Sequence, residues 1–158
     1  MSIATQVFEQ LLKHGHLLVT AESCTGGMVA AAITDIAGSS AVFDRGFVTY
    51  SNAAKHQMLG VPNVLLETHG AVSEAVAKAM AQGALKHSNA TIAISITGIA
   101  GPSGGTETKP VGLVHFCCST LKHGDKLERE VFSGDRAQVR ASACDHALQM
   151  IGQMLLLG

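Results

Sequence analysis

No apolar run in this chain of 158 residues is long enough to cross a membrane, because polar residues interrupt the hydrophobic 47% throughout. Residues 1–14 carry Glu9 and Lys13 within an amphipathic spacing, which differs from the basic and then apolar order of an export signal. We therefore expect a soluble, cytoplasmic protein that does not act on membranes.

Disulfide and metal-binding motifs are missing as well. The four cysteines include no C-x-x-C pair, and the eight histidines include no H-E-x-x-H or other compact ligand spacing. We predict no structural metal. Cys117 and Cys118 fall in an apolar strand-like run and Cys144 in a helical one, so we expect all three to be buried as small hydrophobic residues.

Neither sign of charge predominates. Twelve acidic and 11 basic residues give a formal net charge of -1, and no run of Lys or Arg stands out. This balance argues against a surface that binds nucleic acid. The length is typical of one domain, which we expect to span residues 1–158.

Strand-like and helix-like segments alternate along the chain. Strands are expected at 17–21, 47–50 and 91–96, and an antiparallel hairpin at 111–119 and 127–132. Helices are expected from the N-terminus to Gly15, at 27–36, at 52–59, at 74–87, and from 136 to about 156 after a cap at Asp135. This mixture predicts an α/β fold, a three-layer α/β/α sandwich around a mixed, mostly parallel sheet.

Residues 17–27 (LLVTAESCTGG) read as a strand, a tight turn and a helix start, with Ser23 at the junction. Unpaired N–H groups at a helix start stabilise an anion or a developing oxyanion, so a nucleophile or a phosphate contact is one interpretation of Ser23. The other is that Ser23, Thr25 or both only cap the helix.

Two further strand ends carry polar residues. Tyr50, the only tyrosine, ends the second strand five residues before Lys55, and Thr97 ends the third before the glycine-rich loop Gly98–Gly105. Ligands bind at the carboxyl ends of strands in open α/β sheets, so we expect these ends to converge with Ser23. A desolvated lysine can deprotonate a serine, although a half-buried strand tyrosine and a solvated lysine are the structural alternatives.

The remaining candidates are a loop and two arginines. The loop lacks the P-loop pattern and no G-x-G-x-x-G follows the first strand, which argues against a nucleoside-triphosphate site and a Rossmann oxidoreductase. Arg136 and Arg140 share one face of the last helix near its start, where cations are unfavourable, so they indicate an anionic partner. The alternative for the glycine-rich loop is a mobile surface loop. The alternative for the two arginines is pairing with Glu128, Glu130 or Asp135.

Five segments taken together resemble the CinA C-terminal domain family. They are residues 21–27 (AESCTGG), 46–51 (GFVTYS) with Lys55, 70–74 (GAVSE), 97–102 (TGIAGP) and 134–136 (GDR). They cover nearly the whole chain in order, and the set is far more specific than any one segment. The resemblance implies hydrolysis of the carboxamide of nicotinamide mononucleotide to nicotinic acid mononucleotide and ammonia, in pyridine nucleotide salvage. It also implies a homo-oligomer with no metal or organic cofactor.

The resemblance further implies that Ser23 is the nucleophile, Lys55 its base, Tyr50 a proton relay or orienting group, and Thr97 a hydrogen-bonding partner. Attack by Ser23 would form an oxyanion beside the helix start at residues 26–27. Substrate contacts are expected from Thr25, Gly26, Gly27, Gly98, Gly101, Arg136 and Arg140, the arginines meeting phosphate or organising the site. Two rival hypotheses are a non-catalytic mononucleotide-binding regulatory module and a serine amidase that acts on another substrate.

Overall fold

The computed structural model describes residues 1–157, in which six α-helices surround one five-stranded sheet. The strands are β1 (Leu18–Glu22), β2 (Phe43–Val48), β3 (Ile92–Gly98), β4 (Leu113–Thr120) and β5 (Gly124–Val131). The helices are α1 (Ile3–His14), α2 (Met28–Thr34), α3 (Asn52–Leu59), α4 (Asn63–His69), α5 (Glu74–Lys86) and α6 (Arg136–Leu155).

The strands lie in the order β2-β1-β3-β4-β5. β1 pairs in parallel with β2 and β3, whereas β4 is antiparallel to both β3 and β5. β4 therefore runs against the other strands, which confirms the predicted mixed, mostly parallel sheet. The carboxyl ends of β2, β1 and β3 meet at one edge.

Helices cover both faces of the sheet, as the alternation of side chains in β1 illustrates. Leu18 packs in one hydrophobic cluster with residues of α1, α2 and α6, and its neighbour Val19 packs in a second cluster with residues of α3, α4 and α5. Successive side chains of a strand point to opposite faces, so a strand buried on both sides is apolar on both. The predicted three-layer sandwich is confirmed.

Two local predictions were wrong. The second strand runs over Phe43–Val48, so it starts earlier than expected and leaves Thr49 and Tyr50 beyond its end. It is an edge strand that contains charged residues and a glycine, and it lacks the apolar signal on which the prediction depended. α4 was not predicted, because its seven residues are too few to show a helical period.

The predicted cap at Asp135 and the predicted burial of the cysteines are confirmed. The Ser51, Ser73 and Asp135 side chains each accept a backbone N–H at the start of α3, α5 and α6. The four cysteines are free and buried, with Cys117 and Cys118 on opposite faces of β4. Burial raises the pKa of their thiols above the ordinary value of 9.0, so they pack as small neutral groups.

Thr20 in the middle of β1 has a fully buried hydroxyl with no hydrogen-bond partner among residues 1–157. Desolvation of an unpaired hydroxyl opposes folding, so Thr20→Val should raise the free energy of unfolding by about 1 kcal/mol in urea titrations. The matched control is Thr25→Val, which removes a buried hydroxyl that is bonded to Glu22. This substitution should lower the free energy of unfolding. A Thr20→Val protein less stable than wild type would contradict this prediction.

Candidate active site

A cavity of about 320 Å³ lies at the sheet edge where β1, β2 and β3 end. Strand ends, the start of α3, the loop before α5 and the first residue of α6 contribute to it, so the predicted convergence of the three strand ends is confirmed. In the part of the chain that the structure describes, its lining contains no Asp or Glu and two basic residues. The lining residues are Ser23, Cys24, Tyr50, Asn52, Lys55, Ala71, Val72, Thr97, Gly98, Ile99, Ala100, Gly101, Ser103, Gly104 and Arg136.

Ser23 and Lys55 contact each other in this cavity. Ser23 directly follows β1 and is 7% exposed, whereas Lys55 lies in α3 and is 1% exposed. The Nζ atom of Lys55 is 3.2 Å from Oγ of Ser23. The alternative of a solvated lysine is therefore wrong, and the serine and the lysine are within hydrogen-bond reach of each other.

The other contacts of Lys55 come from the backbone. Its Nζ donates to the carbonyl oxygens of Thr49 at 3.0 Å and of Tyr50 at 3.3 Å. A neutral amine has two N–H groups and one lone pair, and carbonyl oxygens only accept. In the neutral form the two N–H groups of Lys55 donate to the two carbonyl oxygens, and its lone pair can accept the proton of the Ser23 hydroxyl.

Burial lowers the pKa of Lys55 from its ordinary value of 10.5. No carboxylate in residues 1–157 forms an ion pair with Lys55 that would hold its proton. Desolvation without a counter-charge favours the neutral amine. The environment of Lys55 is thus suited to a general base.

Tyr50 lies at the rim of the cavity and is 62% exposed. Its hydroxyl accepts a hydrogen bond from Arg136 at 3.0 Å, and only its backbone carbonyl contacts Lys55. The alternative of a half-buried strand residue is wrong, because the chain has already left β2. The structure also gives the Tyr50 hydroxyl no contact with Ser23 or Lys55, so it does not support the predicted proton relay.

Thr97, near the end of β3, is 1% exposed, and its hydroxyl donates to the carbonyl oxygen of Ala71 at 2.9 Å. This bond joins the sheet to the loop before α5. Since Ala71 and Val72 both line the cavity, Thr97 fixes one wall of the cavity.

The glycine-rich loop forms another wall through Gly98, Gly101, Ser103 and Gly104. Gly101 has a φ of +84°, and a Cβ atom there would collide with Val111, so only glycine fits without strain. Its carbonyl oxygen accepts a hydrogen bond from Arg136 at 2.8 Å. This loop therefore contributes to the cavity.

The two arginines of α6 have different partners. Arg136 lines the cavity, where it reaches Gly101 and Tyr50, whereas Arg140 donates from Nε to the carbonyl oxygen of Cys24 at 3.0 Å and lies outside the lining. The alternative of carboxylate pairing is wrong, because the ion pairs of Glu128 are with His146 and Lys126, and neither arginine forms one within residues 1–157.

The start of α2 is capped by Glu22 and not by a hydroxyl. The Glu22 carboxylate accepts bonds from Thr25 Oγ1 at 2.7 Å, the Val29 N–H at 3.0 Å and the Ala30 N–H at 3.1 Å. The capping interpretation of Ser23 and Thr25 is therefore wrong. Because these N–H groups are already bonded and residues 25–27 lie outside the lining, the structure does not support an oxyanion site at the helix start or direct substrate contacts there.

Sequence reasoning missed several lining residues. Asn52, Ala71 and Val72 carry no chemical motif, although their positions beside a predicted helix start could have pointed to them. Glu22 was overlooked too, although a charged residue at the end of a predicted core strand is an unusual signal.

Within the described part of the chain, no group of three or more His, Cys, Asp or Glu side chains could hold a metal ion. In residues 1–157 no helix combines the length and the apolar character needed to span a membrane.

Comparison with known proteins places the chain in a family. The chain is 56% identical over 156 residues to nicotinamide-nucleotide amidohydrolase PncC of Escherichia coli strain K12, covering 99% of this chain and 94% of that protein. It is 52% identical over 150 residues to a putative competence-damage inducible protein of Caldicellulosiruptor saccharolyticus, covering 95% of this chain and 36% of that protein. The crystal structure of the competence/damage inducible protein CihA from Agrobacterium tumefaciens superposes with a TM-score of 0.93 at 45% identity, covering 97% of this chain and 93% of that one. The family model of the CinA C-terminal domain matches residues 1–155, and the chain therefore belongs to the CinA C-terminal domain family.

Proposed function

We propose that this chain, as a single catalytic domain, hydrolyses the carboxamide of nicotinamide mononucleotide to nicotinic acid mononucleotide and ammonia. The observation that carries the proposal is the 3.2 Å contact between Ser23 and a buried lysine without a counter-charge. The 56% identity to a nicotinamide-nucleotide amidohydrolase over nearly the full length supports the substrate.

The first half of the reaction forms an ester on Ser23. The neutral Lys55 amine takes the hydroxyl proton while Oγ attacks the carboxamide carbon, which gives a tetrahedral oxyanion. As the C–N bond breaks, Lys55 returns the proton to the departing nitrogen, which leaves as ammonia. No metal or organic cofactor takes part in the proposed steps.

The second half removes the ester with water. Lys55, neutral again, accepts a proton from a water molecule that attacks the same carbon. The bond to Oγ then breaks, the proton returns to Ser23, and the carboxylic acid leaves. One base thus serves both halves.

The backbone N–H of Cys24 is the oxyanion donor in this proposal. Cys24 follows the nucleophile and lines the cavity, and its N–H forms no backbone hydrogen bond within residues 1–157. Donors aimed at the developing charge in a dry site are worth several kcal/mol of barrier, of order 3 kcal/mol for a single donor.

Arg136 binds the substrate phosphate. It is the second cation of a cavity without carboxylates, and its guanidinium is held between Gly101 and Tyr50 at the rim. In this arrangement Tyr50 orients Arg136, and Thr97 holds the cavity wall. Charge-assisted bonds from a guanidinium suit a phosphate monoester.

Purified protein tests the proposal by releasing ammonia and nicotinic acid mononucleotide in equal amounts from nicotinamide mononucleotide. Tight binding of the mononucleotide without turnover would identify a regulatory module instead. Turnover of other amides with none of this substrate would identify a different serine amidase.

Arg136→Ala should raise KM for nicotinamide mononucleotide by about 10- to 100-fold with a much smaller change in kcat, because the phosphate loses a charge-assisted bond. Steady-state kinetics with the dephosphorylated nucleoside provide the internal control, since that substrate has no phosphate to lose. Arg129→Ala, on the exposed part of β5, should leave both constants unchanged. Equal losses for both substrates would contradict a phosphate contact.

A homo-oligomer and a cytoplasmic location stay predictions. At the C-terminal end of α6, Met154 and Leu155 are buried in the core, whereas the following residues Leu156 and Leu157 are exposed. The two exposed leucines support a subunit contact at this end of α6.

A further inference from the structure

Glu22 is the one acidic side chain that is fully buried in the described part of the chain. It ends β1 and directly precedes Ser23. Its carboxylate accepts three hydrogen bonds, two of them from N–H groups in the first turn of α2. A buried carboxylate at a positive helix end is electrostatically favourable, and each of its two oxygens accepts at least one of these bonds.

The position of Glu22 determines what the next residue can do. Side chains alternate across a strand, and Glu22 lies on the α2 side of the sheet while Ser23 contacts Lys55 of α3 on the other side. Hydroxyl groups are good helix caps, so without the carboxylate the N–H groups of α2 would donate to the hydroxyl oxygens of Ser23 and Thr25. Because the carboxylate accepts these bonds, the N–H groups of α2 do not compete with Lys55 for the Ser23 hydroxyl.

We propose that Glu22 is a positioning residue for the nucleophile: its carboxylate takes the capping bonds of α2, which leaves Ser23 Oγ free for Lys55 and fixes the Cys24 N–H beside it. Arg140 of α6 holds the same turn in place, because it donates a hydrogen bond to the Cys24 carbonyl oxygen. The kinetic part of this inference rests on the proposed amidase activity.

Glu22→Gln tests the inference, because the amide has the same shape but turns one acceptor oxygen into an NH₂ donor that faces an N–H of α2. We expect kcat for nicotinamide mononucleotide to fall about 10- to 100-fold, since small misplacements of a reacting atom have effects of this size, while KM changes less than about threefold. Glu74→Gln is the matched control, because it alters an exposed carboxylate in the first turn of α5 and should leave kcat unchanged.

A second measurement does not depend on the substrate. An alkyl fluorophosphonate reacts with an activated serine by forming an Oγ–P bond and expelling fluoride, with the hydroxyl proton passing to the base. Its rate of labelling Ser23, followed by mass spectrometry, should fall in Glu22→Gln by a factor similar to that of kcat. Wild type that is labelled but releases no ammonia would refute the proposed function while the comparison of labelling rates still tests Glu22.

Circular dichroism and thermal melting establish that the variants are folded at the assay temperature. If Glu22→Gln does not fold, Glu22→Asp decides, because it keeps the charge but shortens the reach, and its labelling rate should fall about 3- to 10-fold. A folded variant at either substitution with wild-type kcat and wild-type labelling would overturn the proposal and leave Glu22 a purely structural cap.

Discussion

Ser23→Ala is expected to lower kcat for nicotinamide mononucleotide by about 10⁴-fold or more, to the level of background hydrolysis. The loss is this large because the variant has no oxygen to form the acyl-enzyme, and a lone lysine cannot replace a covalent intermediate. Substrate should still bind, with Kd within about threefold of wild type by calorimetry, because the hydroxyl is not part of the phosphate site at Arg136.

The same variant should fold normally. Within residues 1–157 the hydroxyl of Ser23 bonds only to Lys55 and caps no helix, so its removal costs little stability. Ser2→Ala is the opposite case: its hydroxyl caps α1, so its loss should cost about 1 kcal/mol of stability and no activity. Ammonia release by Ser23→Ala above a few per cent of wild type would contradict the assignment of the nucleophile.

Lys55→Met is expected to lower kcat by about 10³-fold. The activity falls because no other base within residues 1–157 contacts Ser23, and positioned bases contribute about 10² to 10⁴ in rate. Rate assays of folded samples measure this effect, and Lys78→Met, at an exposed position of α5, should leave kcat unchanged.

The pH dependence follows from the lowered pKa of Lys55. Activity should rise with pH as the amine loses its proton, with a midpoint below the ordinary value of 10.5. Between that midpoint and 10.5 the unfolded chain binds the proton and the folded chain does not, so wild-type stability should also rise with pH through this window. Lys55→Met should lack the rise in stability, and a wild-type rate that falls over this window would refute the neutral amine as base.

The sequence predicted the positions of Ser23, Lys55 and Thr97 well because they depend on topology. Parallel strands deliver their carboxyl ends to one edge, and strand-like runs followed by glycine or small polar residues mark those ends. Tyr50 was harder to interpret: it lies beyond a charged edge strand whose limits the apolar pattern does not define, and its side chain turns to Arg136.

The remaining differences between prediction and structure concern the directions of side chains, which a sequence pattern does not specify. Helical spacing placed Arg136 and Arg140 on one face, but which backbone oxygen each guanidinium reaches depends on loops distant in sequence. Hydroxyl residues near a helix start predict a cap, yet the buried carboxylate of Glu22 fulfils that function. At this turn, the tertiary position of the Glu22 side chain outweighs the local preference for a hydroxyl cap.

The adjacency of Glu22 and Ser23 at the end of β1 also makes this strand intolerant of insertions and deletions. Adding or removing one residue before position 22 while the sheet pairing is kept would exchange the two sides, turning the carboxylate toward Lys55 and the hydroxyl toward α2. A carboxylate beside Lys55 would hold its proton. In a library of single-residue length variants, β1 should therefore tolerate no change of length, whereas the exposed turn of the β4–β5 hairpin should accept several.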